Sequence, residues 1–178
     1  MTEKDLIQGC IKEKQIAQKA LFQQYAGKML GVCMRYARNR AEAEDILQEG
    51  FVRVFDNITK YRGDGSFEGW IRRIMVNSAL KFYSKKSYSN EFPGIENYLE
   101  KSEDPTIYQD MGKKELMELI SNLPDGYRMV FNLYVIEGFS HAEIAKKIGI
   151  GESTSRSQLT KARKMLQQQV LELYKPAI

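Results

Sequence analysis

The chain of 178 residues is 43% hydrophobic and 28% charged, a composition that suits one domain or two small ones and excludes disorder throughout. Its formal net charge is +4, but residues 87–110 contain six acidic residues and one Lys, so the rest of the chain carries +9. This distribution indicates contacts with polyanions at two places that an acidic strip separates.

Two cysteines and one histidine, without the spacing of metal ligands, argue against a structural zinc site and fit a reducing compartment. The charged N-terminus MTEKDLIQGC does not resemble a signal peptide, and no apolar run has the length of a membrane span. We therefore expect a cytoplasmic protein that holds no metal and no cofactor.

Almost every patterned segment predicts an α-helix, and no strand period stands out. Apolar residues recur at helical spacing over residues 5–38, either as two helices broken near residues 12–15 or as one bent helix. A third helix is expected over residues 41–55, with acidic residues at its start, where the helix dipole favours them. A loop at residues 57–66 then leads to a fourth helix over residues 67–85.

The third predicted helix has an apolar face and an acidic face. The apolar face contains Leu47, Phe51, Val54 and Phe55, and the other face contains Asp45, Gln48, Glu49, Val52 and Asp56. A Val among acids on a solvent face is compatible with a surface for a protein partner, or is one stray apolar residue on a solvated face. Acid–base catalysis is a weaker alternative, because a single exposed helix provides no pocket, metal cluster or nucleophile.

The fourth predicted helix places aromatic and basic side chains along one ridge. Its core stripe is expected to contain Phe67, Ile71, Ile74, Ser78 and Phe82. The neighbouring stripe contains Trp70, Arg73, Asn77 and Lys81, with Tyr61 and Arg62 before the helix and Tyr83, Lys85 and Lys86 at its end. Because rings stack on unpaired bases and cations follow phosphates, this mixture favours a single-stranded nucleic acid. Trp70 and Tyr61 could instead be core aromatics, or could serve both purposes at the edge of the core.

Residues 87–107 have no helical period, contain two prolines and are acidic, so they predict a flexible linker. The chain then divides into a helical domain at residues 1–86 and a second helical domain at residues 108–178. In the second domain, one helix is expected to end near Ser121 and the next to end at Gly138.

Residues 139–166 have the pattern of a helix-turn-helix. Ser140, followed three residues later by Glu143, is a capping box that starts a short helix, and Gly149 can take the left-handed conformation that ends it. The helix from about Ser153 offers side chains for bases and phosphates in its first turns, namely Thr154, Arg156, Ser157, Gln158 and Lys161. Ordinary helical bundles with a solvated basic surface show the same features.

Four stretches, taken in their order and spacing, carry a resemblance to a known family. They are AEDILQEGFVRVF, YRGDGSFEGWIRRIMVN, LPDGYRMVFNLYVIEGFSHAEIAKKIGI and STSRSQLTKAR. With their spacing they resemble the short, two-domain extracytoplasmic-function (ECF) type of sigma factor of bacterial RNA polymerase. The resemblance implies an all-α fold of two small helical domains joined by the acidic flexible linker, the C-terminal one a helix-turn-helix. It also implies a transcription initiation factor, not an enzyme, that binds core RNA polymerase, directs it to specific promoters and melts DNA.

The resemblance assigns roles to three groups of residues. The third helix is similar to the segment that docks on the clamp helices of the largest polymerase subunit, here through Asp45, Gln48, Glu49 and Val52. The fourth helix is similar to the element that melts and reads the minus-ten element, with Asn77 holding a flipped base and Tyr61, Arg62, Trp70, Arg72, Arg73 and Lys81 around it. The helix-turn-helix is similar to the domain that reads the minus-thirty-five element, through Thr154, Arg156, Ser157, Gln158 and Lys161.

The family also implies an anti-sigma factor as a partner, besides polymerase and promoter DNA, and no small-molecule substrate. Two positions depart from its pattern. Lys81 stands where many members have Asp, and Ser155 stands where the recognition helix normally turns an aliphatic residue inward, which leaves more of the packing to Leu159. The alternative is a stand-alone helix-turn-helix transcriptional regulator, which would need a dimer interface and a palindromic site. Such a duplex binder has no need of the ridge from Trp70 to Asn77.

Overall fold

The computed structural model of the chain describes residues 2–87 and 112–174, which form helices and turns without a strand. The α-helices are α1 (Glu3–Ile11), α2 (Gln15–Tyr36), α3 (Arg40–Asn57), α4 (Phe67–Ser87), α5 (Lys113–Ser121), α6 (Asp125–Phe131), α7 (His141–Ile148) and α8 (Glu152–Leu173). A short 3-10 helix, Ile58–Lys60, follows α3, and a π-helix, Asn132–Ile136, follows α6. The predicted all-α fold is confirmed.

The contacts within the chain divide it into two compact units, residues 1–82 and residues 83–178. The predicted domain boundaries, at residues 1–86 and 108–178, stay predictions. The predicted linker, residues 87–107, lies outside the described residues after its first position.

A tight turn separates α1 from α2, so the predicted break produces two helices and not one bent helix. Thr2 and Asp5 form a capping box at the start of α1. Glu13 in the turn has φ 54°, a left-handed conformation in which an α-helix cannot continue. A Cβ added to Gly9 would lie 2.4 Å from the Cβ of Ala17, so only glycine allows α1 and α2 to approach this closely.

The buried stripes of α3 and α4 form much of the core of the first unit. On α3, Leu47, Phe51 and Val54 are buried as expected, and Phe55 is half-buried. The prediction for α4 is partly wrong, because Ile74 and Phe82 are only half-buried, whereas Met75 and Ala79 are buried. The reason is a close approach of α3, since a Cβ on Gly50 would lie 2.2 Å from the Sδ of Met75. This contact turns the Met75 side of α4 toward the core.

In the second unit, α5 and the C-terminal half of α8 share an apolar cluster. Its buried members are Leu119, Ile120, Leu123, Ala162, Leu166 and Val170. A fully buried Arg128 on α6 stabilises the turn between α5 and α6. Its guanidinium donates to the carbonyl oxygens of Ser121 (3.1 Å) and Leu123 (2.6 Å) and lies 2.5 Å from a carboxylate oxygen of Asp125. These partners are what allows a charged group to be buried here.

The helix expected to reach Gly138 changes its hydrogen-bond pattern before it ends. α6 stops at Phe131, and the chain continues as the π-helix Asn132–Ile136, in which the N–H of Glu137 donates to the carbonyl oxygen of Asn132 at 3.0 Å. Gly138 itself has φ 77° and ends the segment at the expected position. Helical periodicity in the sequence does not distinguish an α-turn from a single π-turn.

The helix-turn-helix pattern folds as the sequence predicts. Ser140 caps α7 by accepting a hydrogen bond from the N–H of Glu143, whose carboxylate accepts from the backbone N–H of Ser140. Gly149 ends α7 with φ 71°, in the left-handed region that glycine occupies without strain. Gly151 then precedes α8, which begins at Glu152.

Candidate nucleic-acid interface

One face of α3 is exposed and combines acidic, amide and aliphatic side chains. Asp45, Gln48 and Val52 are exposed, and Val52 keeps 58% of its surface in solvent. Glu49 is half-buried and forms an ion pair with Arg53, one turn further along α3. Arg53 is not among the residues predicted above, although its spacing of four residues from Glu49 is the signal for such a pair. The face offers an aliphatic contact with carboxylates at defined positions around it.

Aromatic side chains cluster where the loop after the 3-10 helix meets the start of α4. The ring of Phe67 stacks on that of Trp70, with centroids 5.6 Å apart, and lies 5.0 Å from that of Tyr61. Tyr61 and Trp70 are 5.6 Å apart, and both are half-buried, whereas Phe67 is fully buried. Of the alternatives for Trp70 and Tyr61, the structure therefore supports a position at the edge of the core, with part of each side chain in solvent.

The loop at residues 61–66 is held in a compact form. The hydroxyl of Tyr61 donates to the carbonyl oxygen of Gly65 at 2.8 Å. Gly63 and Gly65 have φ angles of 82° and 89°, which side chains other than glycine rarely adopt. Arg62 is exposed on this loop. The loop thus brings a cation next to the aromatic cluster.

A polar stripe runs along α4 from the aromatic cluster. Arg73, Asn77 and Lys81 are exposed, and they follow Trp70 on the same side of the helix. Arg72 is half-buried and, by helical rotation, lies on a different side of α4 from this stripe. All members of the predicted minus-ten group therefore lie on α4 or on the loop that precedes it. The arrangement can stack on bases, donate hydrogen bonds to base edges and neutralise phosphates.

The first turns of α8 expose most of the predicted duplex-contacting residues. Thr154, Arg156, Ser157 and Lys161 are exposed, and Arg156 forms an ion pair with Glu152 in the preceding turn. Gln158 is placed differently, since it is half-buried with its amide against α6. A Cβ added to Gly126 would lie 3.1 Å from the Nε2 of Gln158. The half-buried position of Gln158 could not have been predicted from local sequence, because its packing partner, Gly126, lies 32 positions earlier in the chain.

Ser155 occupies the inward position on α8 and makes a specific polar contact there. It is fully buried, and its hydroxyl lies 2.9 Å from the Nδ1 of His141, the first residue of α7. The His141 ring in turn stacks on Tyr134, with centroids 4.5 Å apart, and the guanidinium of Arg163 lies 5.9 Å from the centre of the Tyr134 ring. A hydrogen bond between α7 and α8 thus replaces the aliphatic contact, and Leu159 is buried one turn later, as expected.

The two buried cysteine thiols are not activated for nucleophilic attack or for binding a metal ion. Burial raises the pKa of Cys33 to about 12, and burial also raises the pKa of Cys10. A thiol with a raised pKa is a poor nucleophile and a poor ligand. Within residues 2–87 and 112–174, no group of three or more His, Cys, Asp or Glu side chains is arranged to hold a metal ion. None of the helices in these two ranges combines the length and hydropathy that crossing a membrane requires.

Two family models match the chain, and each falls on one of the two sites. Sigma-70 region 2 matches residues 21–88, and sigma-70 region 4 matches residues 113–166. Together they account for about two thirds of the chain. The first match includes the exposed face of α3 and the stripe of α4, and the second includes α7 and the first half of α8.

Curated relatives carry sigma-factor names. The ECF RNA polymerase sigma factor SigE of Mycolicibacterium smegmatis is 33% identical over 152 residues, which are 82% of this chain and 58% of that protein. This chain therefore spans little more than half the length of that relative. The ECF RNA polymerase sigma-E factor of Haemophilus influenzae is 25% identical over 97% of both chains, and the RNA polymerase sigma-H factor of Pseudomonas aeruginosa is 26% identical over 86% of both.

A solved structure has the same fold. The sigma factor RpoE of Bartonella quintana, crystallised with the anti-sigma factor NepR, superposes with a TM-score of 0.52 at 18% identity, over 88% of this chain and 98% of that one. Sigma factors are transcription initiation factors. The two region matches and the curated relatives together show that the chain belongs to the ECF type of sigma factor, the proteins that bind core RNA polymerase and direct it to promoters.

Proposed function

We propose that the protein carries out initiation through three surfaces on its described residues. The exposed face of α3, with Asp45, Gln48, Glu49 and Val52, binds core polymerase. The loop and stripe around α4 capture unpaired minus-ten bases, through Tyr61, Arg62, Trp70, Arg72, Arg73, Asn77 and Lys81. The first turns of α8 contact the minus-thirty-five duplex, through Thr154, Arg156, Ser157 and Lys161, with Gln158 acting at the edge of that surface.

The observation that carries this proposal is the continuous stripe from the aromatic cluster along α4. A helix that only reads duplex DNA needs no half-buried rings beside its cations. Rings at the edge of a core offer a face on which an extruded base can stack, and the exposed Arg73 and Lys81 can hold the strand by its phosphates. Asn77, exposed between them, has both donors and an acceptor for the edge of a base.

Base capture explains how strands can separate without ATP. Unstacking and unpairing a base costs a few kcal/mol, and stacking on an aromatic ring recovers on the order of 1–3 kcal/mol per base. The remaining free-energy cost of separating the strands is then small enough for contacts elsewhere in the complex to offset it. Polymerase bound at α3 keeps the promoter next to α4 while this exchange takes place.

The two ends of α8 suggest different tasks in the second unit. Its N-terminal turns expose polar and basic side chains, as a recognition helix does, while its C-terminal half lies in the apolar cluster with α5. Arg156 and Lys161 are suited to phosphates or to guanine, and Thr154 and Ser157 to phosphates. Gln158 is half-buried against α6, so its contribution to recognition is expected to be smaller.

We further propose that the protein is not an enzyme, that it acts in the cytoplasm with the polymerase and that an anti-sigma factor restrains it. The support for the first two is family membership, because sigma factors act on the polymerase and leave catalysis to it. The support for the third is the family resemblance. Capture of the protein by a candidate inhibitor, in competition with core polymerase, would test it.

Run-off transcription with core polymerase on genomic fragments, followed by mapping of start sites, tests the main proposal. Specific starts that depend on this chain are expected. A stand-alone regulator would be favoured if the protein alone bound duplex DNA tightly and specifically in a gel mobility shift assay and no transcription start sites appeared with polymerase.

The Asn77→Ala variant tests the role of α4 more narrowly. Its holoenzyme should form normally, while open complexes should form roughly two- to tenfold more slowly, which is the effect expected from losing a hydrogen bond to a captured base. Permanganate reactivity of thymines near minus ten measures opening, and co-elution with core polymerase measures binding. Normal opening by this variant would remove Asn77 from the site.

A further inference from the structure

Tyr25 of α2 links α1 to the aromatic cluster. Its hydroxyl donates to a carboxylate oxygen of Glu3 at 2.8 Å, in the first turn of α1. Its ring meets that of Phe67 edge to face, with centroids 5.7 Å apart and planes at 80°. Tyr25 is only 3% exposed, so it cannot contact DNA itself. Its hydroxyl and its ring nevertheless touch two different elements of the first unit.

Phe67 contacts Tyr25 as well as Tyr61 and Trp70, so it can transmit the effect of Tyr25 to the aromatic cluster. It is fully buried, and it touches the two rings that are partly in solvent, stacking on Trp70 and lying 5.0 Å from Tyr61. A buried side chain that contacts both rings determines where their exposed edges lie, because packed rings have little freedom to move independently.

Further contacts brace the same region from α1 and α2. Lys28, one turn after Tyr25, lies 2.6 Å from a carboxylate oxygen of Glu68, which is adjacent to Phe67. α1 also packs against the 3-10 helix Ile58–Lys60, which leads directly into the loop at residues 61–66. The start and the end of this loop are therefore both supported by contacts that involve α1 or α2.

We propose that Glu3 and Tyr25 are positioning residues for the capture of unpaired bases. They hold Phe67, and through it Tyr61 and Trp70, in the arrangement on which a base can stack. Glu3 belongs to a helix that precedes the residues matched by the region 2 model, which begin at residue 21. The inference rests on the proposed role of the α4 stripe and adds α1 to the elements that strand opening requires.

Burial and the hydrogen bond to Glu3 raise the pKa of Tyr25 to about 12. The phenol therefore remains protonated and can donate to Glu3 at every pH at which the protein works. This contact is a permanent brace and does not act as a switch.

The only tryptophan of the chain, Trp70, provides a direct readout of the cluster. We would replace it biosynthetically by 5-hydroxytryptophan, which can be excited selectively in the presence of polymerase. Acrylamide quenching of the unlabelled free protein reports the exposure of Trp70, and the labelled holoenzyme reports its environment as open complexes form. The variants are Tyr25→Phe, which removes the hydroxyl alone, and Tyr25→Leu, which also removes the ring.

Tyr36→Phe is the matched control, because Tyr36 is also fully buried on α2 but lies 11 residues further along, about 16 Å away by helical rise. Tyr25→Phe should slow open-complex formation roughly two- to tenfold, the range expected for one hydrogen bond, while binding of core polymerase is unchanged. Tyr25→Leu should slow it further and should increase the quenching of Trp70. Tyr36→Phe should leave the quenching of Trp70 and the opening rate unchanged.

Glu3 supplies a rescue experiment. Glu3→Gln keeps an oxygen that can accept from the Tyr25 hydroxyl and should retain more of the opening rate than Glu3→Ala. Unchanged quenching and opening in both Tyr25 variants would overturn the proposal, as would an equal loss in Tyr36→Phe. If Tyr25→Leu does not fold, the hydroxyl deletion still decides. Failure of the proposed function itself would appear separately, as an absence of open complexes with the unaltered protein.

Discussion

The two surfaces proposed to bind DNA, one in each unit, are built in different ways. In the first unit, Tyr61 and Trp70 are half-buried and stack on the fully buried Phe67, so the site begins inside the core. In the second unit, Arg156 and Lys161 are exposed on the first turns of α8, and that helix reaches the core through other residues.

The difference follows from the form of DNA that each surface is proposed to bind. A base outside the duplex needs a flat apolar face to replace the stacking that it has lost, and a protein supplies such a face at the edge of its core. A base pair in the major groove presents only its edges, which exposed polar side chains can reach. Function and stability should therefore be coupled in the first unit and separable in the second.

Trp70→Ala should have the largest effect, because it removes a stacking face and part of the core together. We expect the free energy of unfolding to fall by about 2 kcal/mol, less than for a fully buried aromatic side chain, and opening to slow roughly five- to 150-fold, the equivalent of one stacked base. Urea denaturation and permanganate footprinting measure the two effects. Arg73→Ala, on the same stripe but exposed, should weaken opening at unchanged stability, and equal destabilisation by both variants would contradict the comparison.

Gly50→Ala tests whether packing alone can impair the first unit. Its Cβ would lie 2.2 Å from the Met75 Sδ, so α3 and α4 must separate or Met75 must move, at a cost of about 1–3 kcal/mol. Promoter opening should weaken as well, although none of the residues proposed to contact DNA is changed. Gly27→Ala on α2, where a Cβ meets nothing within 4 Å, should instead stabilise the protein by up to about 1 kcal/mol. Denaturation midpoints that move in the same direction for both glycines would refute this account.

Arg156→Ala should weaken promoter binding without changing stability. If Arg156 contacts a phosphate, the slope of log affinity against log salt should become less steep by about 1, and the free energy of unfolding should stay within about 0.5 kcal/mol. Glu152→Gln is the paired control, because it frees Arg156 from its intrahelical ion pair and should raise affinity. Filter binding of holoenzyme over a series of salt concentrations separates these outcomes, and a loss of affinity in both variants would show that the pair acts as a unit.

Ser155→Ala should have the smallest effect on promoter binding, and it tests the one place in the second unit where function and stability should be coupled. Ser155 is the place on α8 where a buried polar contact sits beside the recognition surface, so removing its hydroxyl should cost about 1 kcal/mol and also weaken duplex binding. Ser153→Ala, exposed on the first turn of the same helix, should change the unfolding free energy by less than about 0.5 kcal/mol. Indistinguishable melting temperatures for the two variants would mean that the contact with His141 contributes no stability.

Local signals in the sequence were sufficient for most of the helices. The capping box at Ser140 and the glycine at position 149 act within a few residues, so the start and end of α7 follow from the sequence alone. The stripe of Trp70, Arg73, Asn77 and Lys81 likewise follows from helical spacing, which fixes the side of a helix that each residue shares.

Contacts between distant positions could not be read in the same way. The hydrogen bond of Ser155 to His141, the position of Gln158 against Gly126 and the approach of Gly50 to Met75 all depend on how one helix packs on another. Periodicity does not give these distances or angles. For the same reason it assigned Ile74 instead of Met75 to the buried stripe of α4, which differs by one residue, or about 100° of rotation.

The hydrogen bond from the Tyr61 hydroxyl to the carbonyl oxygen of Gly65 closes the loop at residues 61–66 through a contact within the protein itself. Ordering a residue of a flexible segment costs roughly 1–2 kcal/mol of conformational entropy. A loop that is already folded does not add this unfavourable entropy to the free energy of binding. If the proposed capture of bases takes place here, an extruded base meets a preorganised site. The rate of base capture should then be limited by the frequency of base-pair opening in the duplex, and hardly at all by rearrangement of the protein.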